Sequence, residues 1–325
     1  MDLVELCALH GTTPASGGVP PWVLGCFRRR SITFFNGDSD DSTLVIWLQS
    51  RGLTADLRLA ADRPRLEARE ALKELSTGEL ARLAEVEGGL AATRFEPIAN
   101  GGVELAGVMQ WSDWTAFQLH AKWPEPGQLR RVGDCLIEHA PSGAYVEDWR
   151  LQPSGEGPLL GLRLLEERDA KSGQLLHRGG GLIVAGEHAM LVRGRAEDLP
   201  AAARLSELVE RAAGDSRLLD AIFGFEASYA RRDGSGRYVV VASTLPWREG
   251  RPLLSTQGFS VEDGFVVQKA REQQRGIERR FRSDTLESSH EDWVATPVTP
   301  SAVTWLRTEE ETLLRAARNK AARRA

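Results

Sequence analysis

TLVIWLQSRGLTADLRL, residues 43–59, predicts two short β-strands joined by a tight turn. The first run is rich in the β-branched and aromatic residues that strands favour. The residues that separate the two runs, Ser50-Arg51-Gly52, provide the turn chemistry that bounds such strands. This stretch therefore indicates antiparallel β-structure early in the chain.

Alternation divides this hairpin into a polar face and an apolar face, because successive side chains of a strand point in opposite directions. The polar face carries Trp47, Gln49, Asp56 and Arg58. Pointing into a barrel, it supplies a buried ion pair and an amide among aromatic rings, and such groups orient ligands. Pointing outward, it is surface, and the core is then formed by the apolar face, which carries Ile46, Leu48, Leu57 and Leu59. The pattern leaves both alternatives open.

Short strands of this kind recur along the chain and are interrupted in each half by a helical stretch. In the first half STGE (76–79) predicts a helix start, since Ser76 caps the helix while Glu79 reaches back. In the second half an apolar helical stripe at 205–212 is followed by Asp215, which caps a second helix. Each half therefore gives about three strands, a helical pair and about four further strands.

About eight antiparallel strands in each half predict a mainly β protein with two small barrels in tandem, because closure removes edge strands. Each barrel carries a short helical insert. The expected boundaries are an N-terminal tail at 1–20, a first barrel at 21–155, a second barrel at 156–307 and a C-terminal helix at 308–325. The alternative is one extended sheet or sandwich.

A repeated triplet supports two related halves. Glu147-Asp148-Trp149 in YVEDWRLQP (145–153) recurs at 291–293, and each copy is followed closely by a proline. Alternation places Tyr145, Glu147 and Trp149 on one face and Asp148 on the other. The adjacent acids therefore do not form the converging carboxyl pair that glycoside hydrolysis needs. The face that carries Glu147 is a candidate barrel lining.

The composition narrows the class of protein. The chain has 325 residues and a net charge of −5, and this acidic balance disfavours nucleic acid as a partner. It has no apolar run long enough for a membrane helix, so we expect no membrane partner. Three widely spaced cysteines and an N-terminus without a basic start indicate a cytoplasmic protein. The six histidines lack metal-ligand spacing, so we expect no metal.

The element order resembles that of a known family, with TLVIWLQ…ADLRLAADRP early and YVEDWRLQP at the end of the first half. Over residues 22–300 the chain is similar to bacterial relatives of the fungal HRI protein family. This resemblance implies tandem lipocalin-like (calycin-like) barrels, and EDWRLQP stands where fungal members have an ELW-P stretch. MQWSDWTAFQLHAKWPEP (109–126) departs from the strand that bacterial relatives usually show. The resemblance implies a fold, without a catalytic signature.

The expected function is small-molecule binding. Nine tryptophans suit a protein that holds a partly apolar ligand in a barrel pocket, and no cofactor motif is present. The candidate ligand-binding residues are Trp47, Gln49, Asp56, Arg58, Trp111, Trp114, Tyr145, Glu147 and Trp149.

Two alternatives come from other classes of function. One is a metal-independent lyase, isomerase or hydratase in which His120 and Glu138 are the catalytic acid and base, with Arg58 holding an anionic group. The other is a protein-interaction scaffold built on the helical inserts.

Overall fold

A computed structural model gives the fold and describes residues 1–12, 18–99, 103, 105–121, 124–212, 215–272, 274–290 and 297–309. Most of its regular structure is antiparallel β-strand, so the mainly β prediction is confirmed. The strands of the first half are β1 Gly25–Phe34, β2 Ser39–Asp40, β3 Leu44–Gln49, β4 Leu53–Leu59, β5 Glu87–Pro97, β6 Ala106–Ala116, β7 Gly127–Val132, β8 Cys135–His139 and β9 Tyr145–Leu151. Those of the second half are β10 Gly157–Asp169, β11 Leu175–Arg178, β12 Gly180–Ala185, β13 His188–Arg193, β14 Glu226–Arg232, β15 Tyr238–Ser243, β16 Phe259–Glu262, β17 Phe265–Glu272 and β18 Arg275–His290.

The helices are short and lie at the ends of the chain or between strands. The α-helices are α1 Leu3–Leu9, α2 Thr77–Leu83, α3 Leu205–Arg211, α4 Ser216–Ile222 and α5 Pro300–Thr308. Single 3₁₀ segments cover Pro21–Val23, Arg69–Glu74 and Pro246–Arg248. None of the described helices has the length and apolar character needed to cross a membrane.

The first half is a closed barrel. Strands β1 and β3 to β9 follow one another around it, and β9 pairs with β1 to close a ring of eight antiparallel strands. The two-residue strand β2 pairs with β1 beside the ring. Closure pairs every strand of the ring on both sides, and the prediction of a barrel in the first half is confirmed.

The second half is a nine-stranded antiparallel sheet in which β11 lies beside β10 and the other strands follow the order β15-β14-β13-β12-β10-β18-β17-β16. Among the described strands, β15 and β16 are not paired with each other, so a closed second barrel is not shown. Irregular backbone covers part of the gap. Val240 N–H donates to the carbonyl of Arg251 (2.9 Å), and Phe259 N–H donates to the carbonyl of Met1 (3.0 Å).

The two halves share one order of strands and helices. β10, β12 and β13 occupy the places of β1, β3 and β4, and β18 pairs with β10 as β9 pairs with β1. The register between β1 and β9 shifts at Arg30. The register between β10 and β18 shifts at three places, and one of them is Leu165. The correspondence therefore extends from the order of elements to a β-bulge in the same pair of strands.

The helical inserts lie where the sequence predicted them. Ser76 and Glu79 form the predicted capping box of α2, and Asp215 accepts hydrogen bonds from two backbone N–H groups at the start of α4. The helix α5 begins at Pro300, ahead of the C-terminal helix expected at 308–325, because Thr299 caps it and a proline fits the first turn. Residues 310–325 and the second triplet at 291–293 lie outside the described residues.

The N-terminal segment, for which the sequence predicts a tail at residues 1–20, contains the helix α1. Asp2 and Glu5 form a capping box, and α1 places Leu3, Leu6 and Cys7 on one side of the helix. These three side chains are buried in the same core cluster as Leu160 and Phe281 of the second sheet. The helix therefore covers one face of that sheet, close to the gap between β15 and β16.

The apolar face of the β3–β4 hairpin packs against the second half. Leu48 and Leu57 are fully buried and share a core cluster with Ile183 and Phe225. Gly88 makes close packing possible, because a Cβ atom there would lie 2.9 Å from the Cβ atom of Ala227. The hairpin is thus buried on the side that faces away from the barrel interior.

The docking of α1 gives the first testable prediction. Leu6→Ala should lower the free energy of unfolding by about 2–5 kcal/mol, because Leu6 is fully buried against the second sheet. Leu9→Ala is the matched control on the same helix: Leu9 is 69% exposed, and its substitution should cost at most about 0.5 kcal/mol. Urea unfolding measures both, and equal values for the two variants would contradict the docking of α1.

Candidate functional site

A cleft of about 1060 Å³ opens where the first barrel meets the second half. Its walls come from β4, β5 and β6, from the segment after β6, and from the second half at Arg178, Arg195 and Phe225. The cleft combines aromatic surface with charged groups, as small-molecule sites commonly do.

The structure divides the predicted site residues into two groups. Asp56, Arg58, Trp111, Trp114 and His120 line the cleft. The others lie inside the barrel beneath it, where none is more than 5% exposed: Trp47, Gln49, Glu138, Tyr145, Glu147 and Trp149. The polar face of the β3–β4 hairpin therefore points into the barrel, and its apolar face is buried as well.

A hydrogen-bonded cluster around Gln49 fixes two indole rings. The Trp47 indole N–H donates to Oε1 of Gln49 (3.0 Å), and the hydroxyl of Thr54 donates to the same oxygen. The Trp111 indole N–H donates to Oγ1 of Thr54 (3.0 Å). Because each polar group has a partner, the cluster holds Trp47 inside the barrel and Trp111 at the floor of the cleft without a ligand's help.

Arg58 connects the barrel interior to the cleft. Its Nε donates to Oδ2 of Asp56 (2.8 Å), and its Nη1 lies 3.6 Å from Oε1 of Glu147. The second carboxyl oxygen of Asp56, Oδ1, is shielded from solvent and has no hydrogen-bond partner in the part of the chain that the structure describes. The predicted ion pair thus exists, and it leaves one acceptor unused at the wall of the cleft.

Two carboxyl groups face each other inside the barrel. Glu138 and Glu147 are directly opposite on β8 and β9. The Trp149 indole N–H donates to Oε2 of Glu138 (3.0 Å), while Arg29 Nη1 donates to Oε1 of Glu147 (2.7 Å). Burial and, after it, the charge of Glu147 raise the pKa of Glu138 to about 8. Glu138 is therefore protonated at neutral pH beside an arginine-paired Glu147.

The sequence offers Glu138 and Glu147 as separate candidates, and alternation within a single strand does not pair them. Their pairing follows from the register of the β8–β9 hairpin around the loop at 141–144, which places residues of equal distance from the loop opposite one another.

His120 and Glu138 occupy different places. His120 is exposed at the cleft, where its Nε2 lies 3.4 Å from the carbonyl oxygen of Ala202. Glu138 is 4% exposed and contacts Trp149 and Tyr145 inside the barrel. No hydrogen bond joins His120 to Glu138 in the described residues, so the structure does not bring this proposed acid and base together as a directly bonded pair.

A second buried charged cluster lies in the other half and was not predicted. Glu167 on β10 accepts from Arg279 on β18 (2.6 Å), and Arg193 on β13 binds both Glu167 (3.1 Å) and Glu226. Burial by itself would raise the pKa of Glu167, but Arg193 and Arg279 outweigh it and lower that pKa to about 2. The sequence signal for a buried Arg193 is its position on the same strand face as the apolar residues Ala189 and Leu191.

Within the described ranges, no group of three or more His, Cys, Asp and Glu side chains is placed to hold a metal ion. The three cysteines are free thiols, and burial raises the pKa of Cys7 and Cys26 to about 12.

Glu138→Gln should remove a pH dependence of stability. The pKa of Glu138 in the folded protein, about 8, lies above the ordinary value of 4.5, so between these values the folded state holds a proton that the unfolded state releases. The contribution to stability is complete below about pH 4.5 and is lost as the pH rises towards 8, with a slope of at most about 1.4 kcal/mol per pH unit. Urea titrations across that range should show the wild type losing stability relative to E138Q.

The exposed Glu85 provides the control for this substitution. Glu85→Gln should keep the wild-type slope, because an exposed carboxylate has similar surroundings in both states. If E138Q and the wild type showed parallel pH profiles, the protonated state of Glu138 would be wrong.

No protein-family model matches the sequence, and no curated protein matches it. A solved structure with similarity to this chain is that of the uncharacterized protein YLR301w from Saccharomyces cerevisiae. The two have 12% sequence identity and a TM-score of 0.45, over 78% of this chain and 96% of that chain. We draw no conclusion about function from this similarity.

Proposed function

We propose that the protein binds a small, partly apolar molecule in the cleft between the first barrel and the second half. The observation that carries this proposal is the cleft of about 1060 Å³, which brings Trp111 and Trp114 beside the Asp56–Arg58 ion pair. Trp114 is 42% exposed there, although a large aromatic side chain gains most when it is covered. A bound ligand would cover it.

The cleft suits a ligand better than the barrel interior does. The interior is occupied by Trp47, Trp149 and Phe27, whose rings lie 5.1–5.4 Å from one another in successive pairs. Eight-stranded barrels have interiors that side chains alone can fill. The six predicted residues inside the barrel are therefore proposed as support for the cleft, and the five that line it as ligand contacts.

The second half is proposed to be a copy of the same module that has become a support. The shared element order and the matching register shifts favour an internal repeat. Its interior holds the cluster of Glu167, Arg193 and Arg279 instead of a predominantly aromatic filling. We also propose that the chain is a member of the HRI protein family, that its two halves are lipocalin-like barrels in tandem, and that the protein is cytoplasmic.

Binding is favoured over the enzymatic alternative by the position of Glu138. A lyase, isomerase or hydratase with His120 and Glu138 as acid and base needs both groups within reach of one substrate. His120 lines the cleft, whereas Glu138 is among the residues buried beneath it. Such an enzyme would use the raised pKa of Glu138, but this carboxyl group is buried and has no access to the cleft.

Native mass spectrometry of protein purified from its host tests the proposal. The wild type should carry a bound small molecule, and Trp114→Ala should reduce the bound fraction by about tenfold, since an aromatic contact is lost. Phe35→Ala is the matched control, because Phe35 is an exposed aromatic residue (73%) that does not line the cleft.

Two results would overturn the proposal. One is a wild-type protein without any bound small molecule after gentle purification. The other is a bound molecule whose occupancy is the same in W114A, F35A and the wild type, which would place it elsewhere.

A further inference from the structure

The two halves place the same arginine–glutamate pair at the same point of their sheets. Arg58 on β4 lies directly opposite Glu87, the first residue of β5. Arg193 on β13 lies directly opposite Glu226, the first residue of β14. Because the strands correspond in order, these two pairs are equivalent positions.

The following strands keep this equivalence. Gly89, two residues after Glu87, pairs with Ala116 on β6. Ser228, two residues after Glu226, pairs with Ser243 on β15. Both ladders then shift register within the next residues, so the ends of β6 and β15 correspond residue by residue.

In the second half an arginine from the next segment completes the site. Arg248 lies five residues after Ser243, and its Nε donates to Oε1 of Glu226 (2.8 Å). Its Nη2 donates to the carbonyl oxygen of Leu253 (2.8 Å). Burial would raise the pKa of Glu226, but Arg193 and then Arg248 outweigh it and hold that pKa well below its usual range. The carboxylate therefore has two cations.

In the first half the equivalent position carries no charge. The residue five positions after Ala116 is Ala121, which lines the cleft. Glu87 also lines the cleft, and its carboxylate makes no hydrogen bond or ion pair within the described part of the chain. Within the described residues, Glu87 therefore lacks the second cation that Glu226 receives from Arg248.

The surroundings of Glu87 supply an aromatic surface and a second acid. Asp56 lies directly opposite Gly89, and a Cβ atom at Gly89 would lie 3.2 Å from Cε3 of Trp114. Trp114 and Asp56 therefore both lie beside Gly89 at the wall of the cleft. An aromatic face beside carboxylates is the arrangement that organic cations prefer.

Among the residues that the structure describes, the lining of the cleft has more acidic than basic groups. It includes five carboxylates and three guanidiniums. Arg58 is bound chiefly by Asp56 and Arg178 by Asp198, while Arg195 donates to backbone carbonyls and lies over the rings of Phe117 and Phe225. A cation would offset the uncompensated charge, whereas an anion would add to it.

We infer that the molecule bound in the cleft is an organic cation, with an ammonium or guanidinium group at Glu87, in the place that Arg248 fills in the second half, and an apolar part on Trp114. The inference rests on the proposed function and adds the charge of the ligand to it.

A series of three probes of one shape tests the charge: phenethylammonium, 2-phenylethanol and 3-phenylpropanoate, titrated by saturation-transfer NMR at neutral pH and low salt. The cation should bind about tenfold or more tightly than the alcohol, and the anion should bind more weakly than both. Glu87→Gln should weaken the cation by about tenfold and change the alcohol by less than about twofold. Glu85→Gln, the exposed control, should leave all three affinities unchanged.

A second variant mimics the other half. Ala121→Arg should place a guanidinium over Glu87 and abolish binding of phenethylammonium. Ala121→Met, which is of similar length but uncharged, should retain that binding within about threefold. Circular dichroism and urea unfolding confirm that each variant is folded.

The outcomes separate this inference from the function on which it rests. If the alcohol or the anion binds as tightly as the cation, or if E87Q leaves the cation's affinity unchanged, the inference is wrong and small-molecule binding stands. If none of the three probes binds the wild type, the inference is wrong, and native mass spectrometry of the purified protein decides the proposed function separately.

Discussion

Burial of the β3–β4 hairpin on both faces is the constraint on which the structure depends. One face, with Trp47 and Gln49, closes the interior of the first barrel, and the other, with Leu48 and Leu57, forms the contact with the second half. Polar groups on a strand that is buried on both sides need partners, and on this hairpin Oδ1 of Asp56 is an exception among the described residues. The hydrogen bonds around Gln49 and the ion pairs around Arg58 follow from this requirement.

The same requirement shapes the two interiors differently. In the second half three arginines form ion pairs with three glutamates, so the formal charges of the cluster cancel. Its members are Glu167, Arg193, Glu226, Arg248, Glu272 and Arg279. In the first half the balance is reached partly by protonation, because Glu138 keeps its proton beside Glu147. Glu87 and Asp56 are then left as acids at the cleft. A difference in charge compensation thus distinguishes the two halves.

The gap in the second sheet has a related explanation. Where β6 pairs with β7 in the barrel, β15 turns instead into the segment that carries Arg248. The backbone at Arg251 and Leu253 pairs with β15 in place of a strand. The segment that supplies the guanidinium to Glu226 is therefore the one that replaces regular pairing, and α1 packs close by.

Several features could be predicted from local sequence. The strands at 43–59, the capping box at Ser76 and Glu79, and the cap at Asp215 depend on residues close together in the chain. The closure of the first barrel could also be anticipated, since about eight alternating strands have few other ways to remove their edges. The docking of α1 could not, because the short apolar run at Leu3–Leu9 becomes stable as a helix only against the second sheet.

Local patterns in the sequence specify the strands, the two faces of each strand, and Asp56 and Arg58 as a candidate ion pair, because alternation and turn chemistry are local properties. It left open which face enters the barrel. The tertiary structure settles that both faces of the hairpin are buried, that Glu138 opposes Glu147, and that Arg248 reaches Glu226. Those relations join residues far apart in the chain, and register between distant strands is set by the packing of the whole sheet.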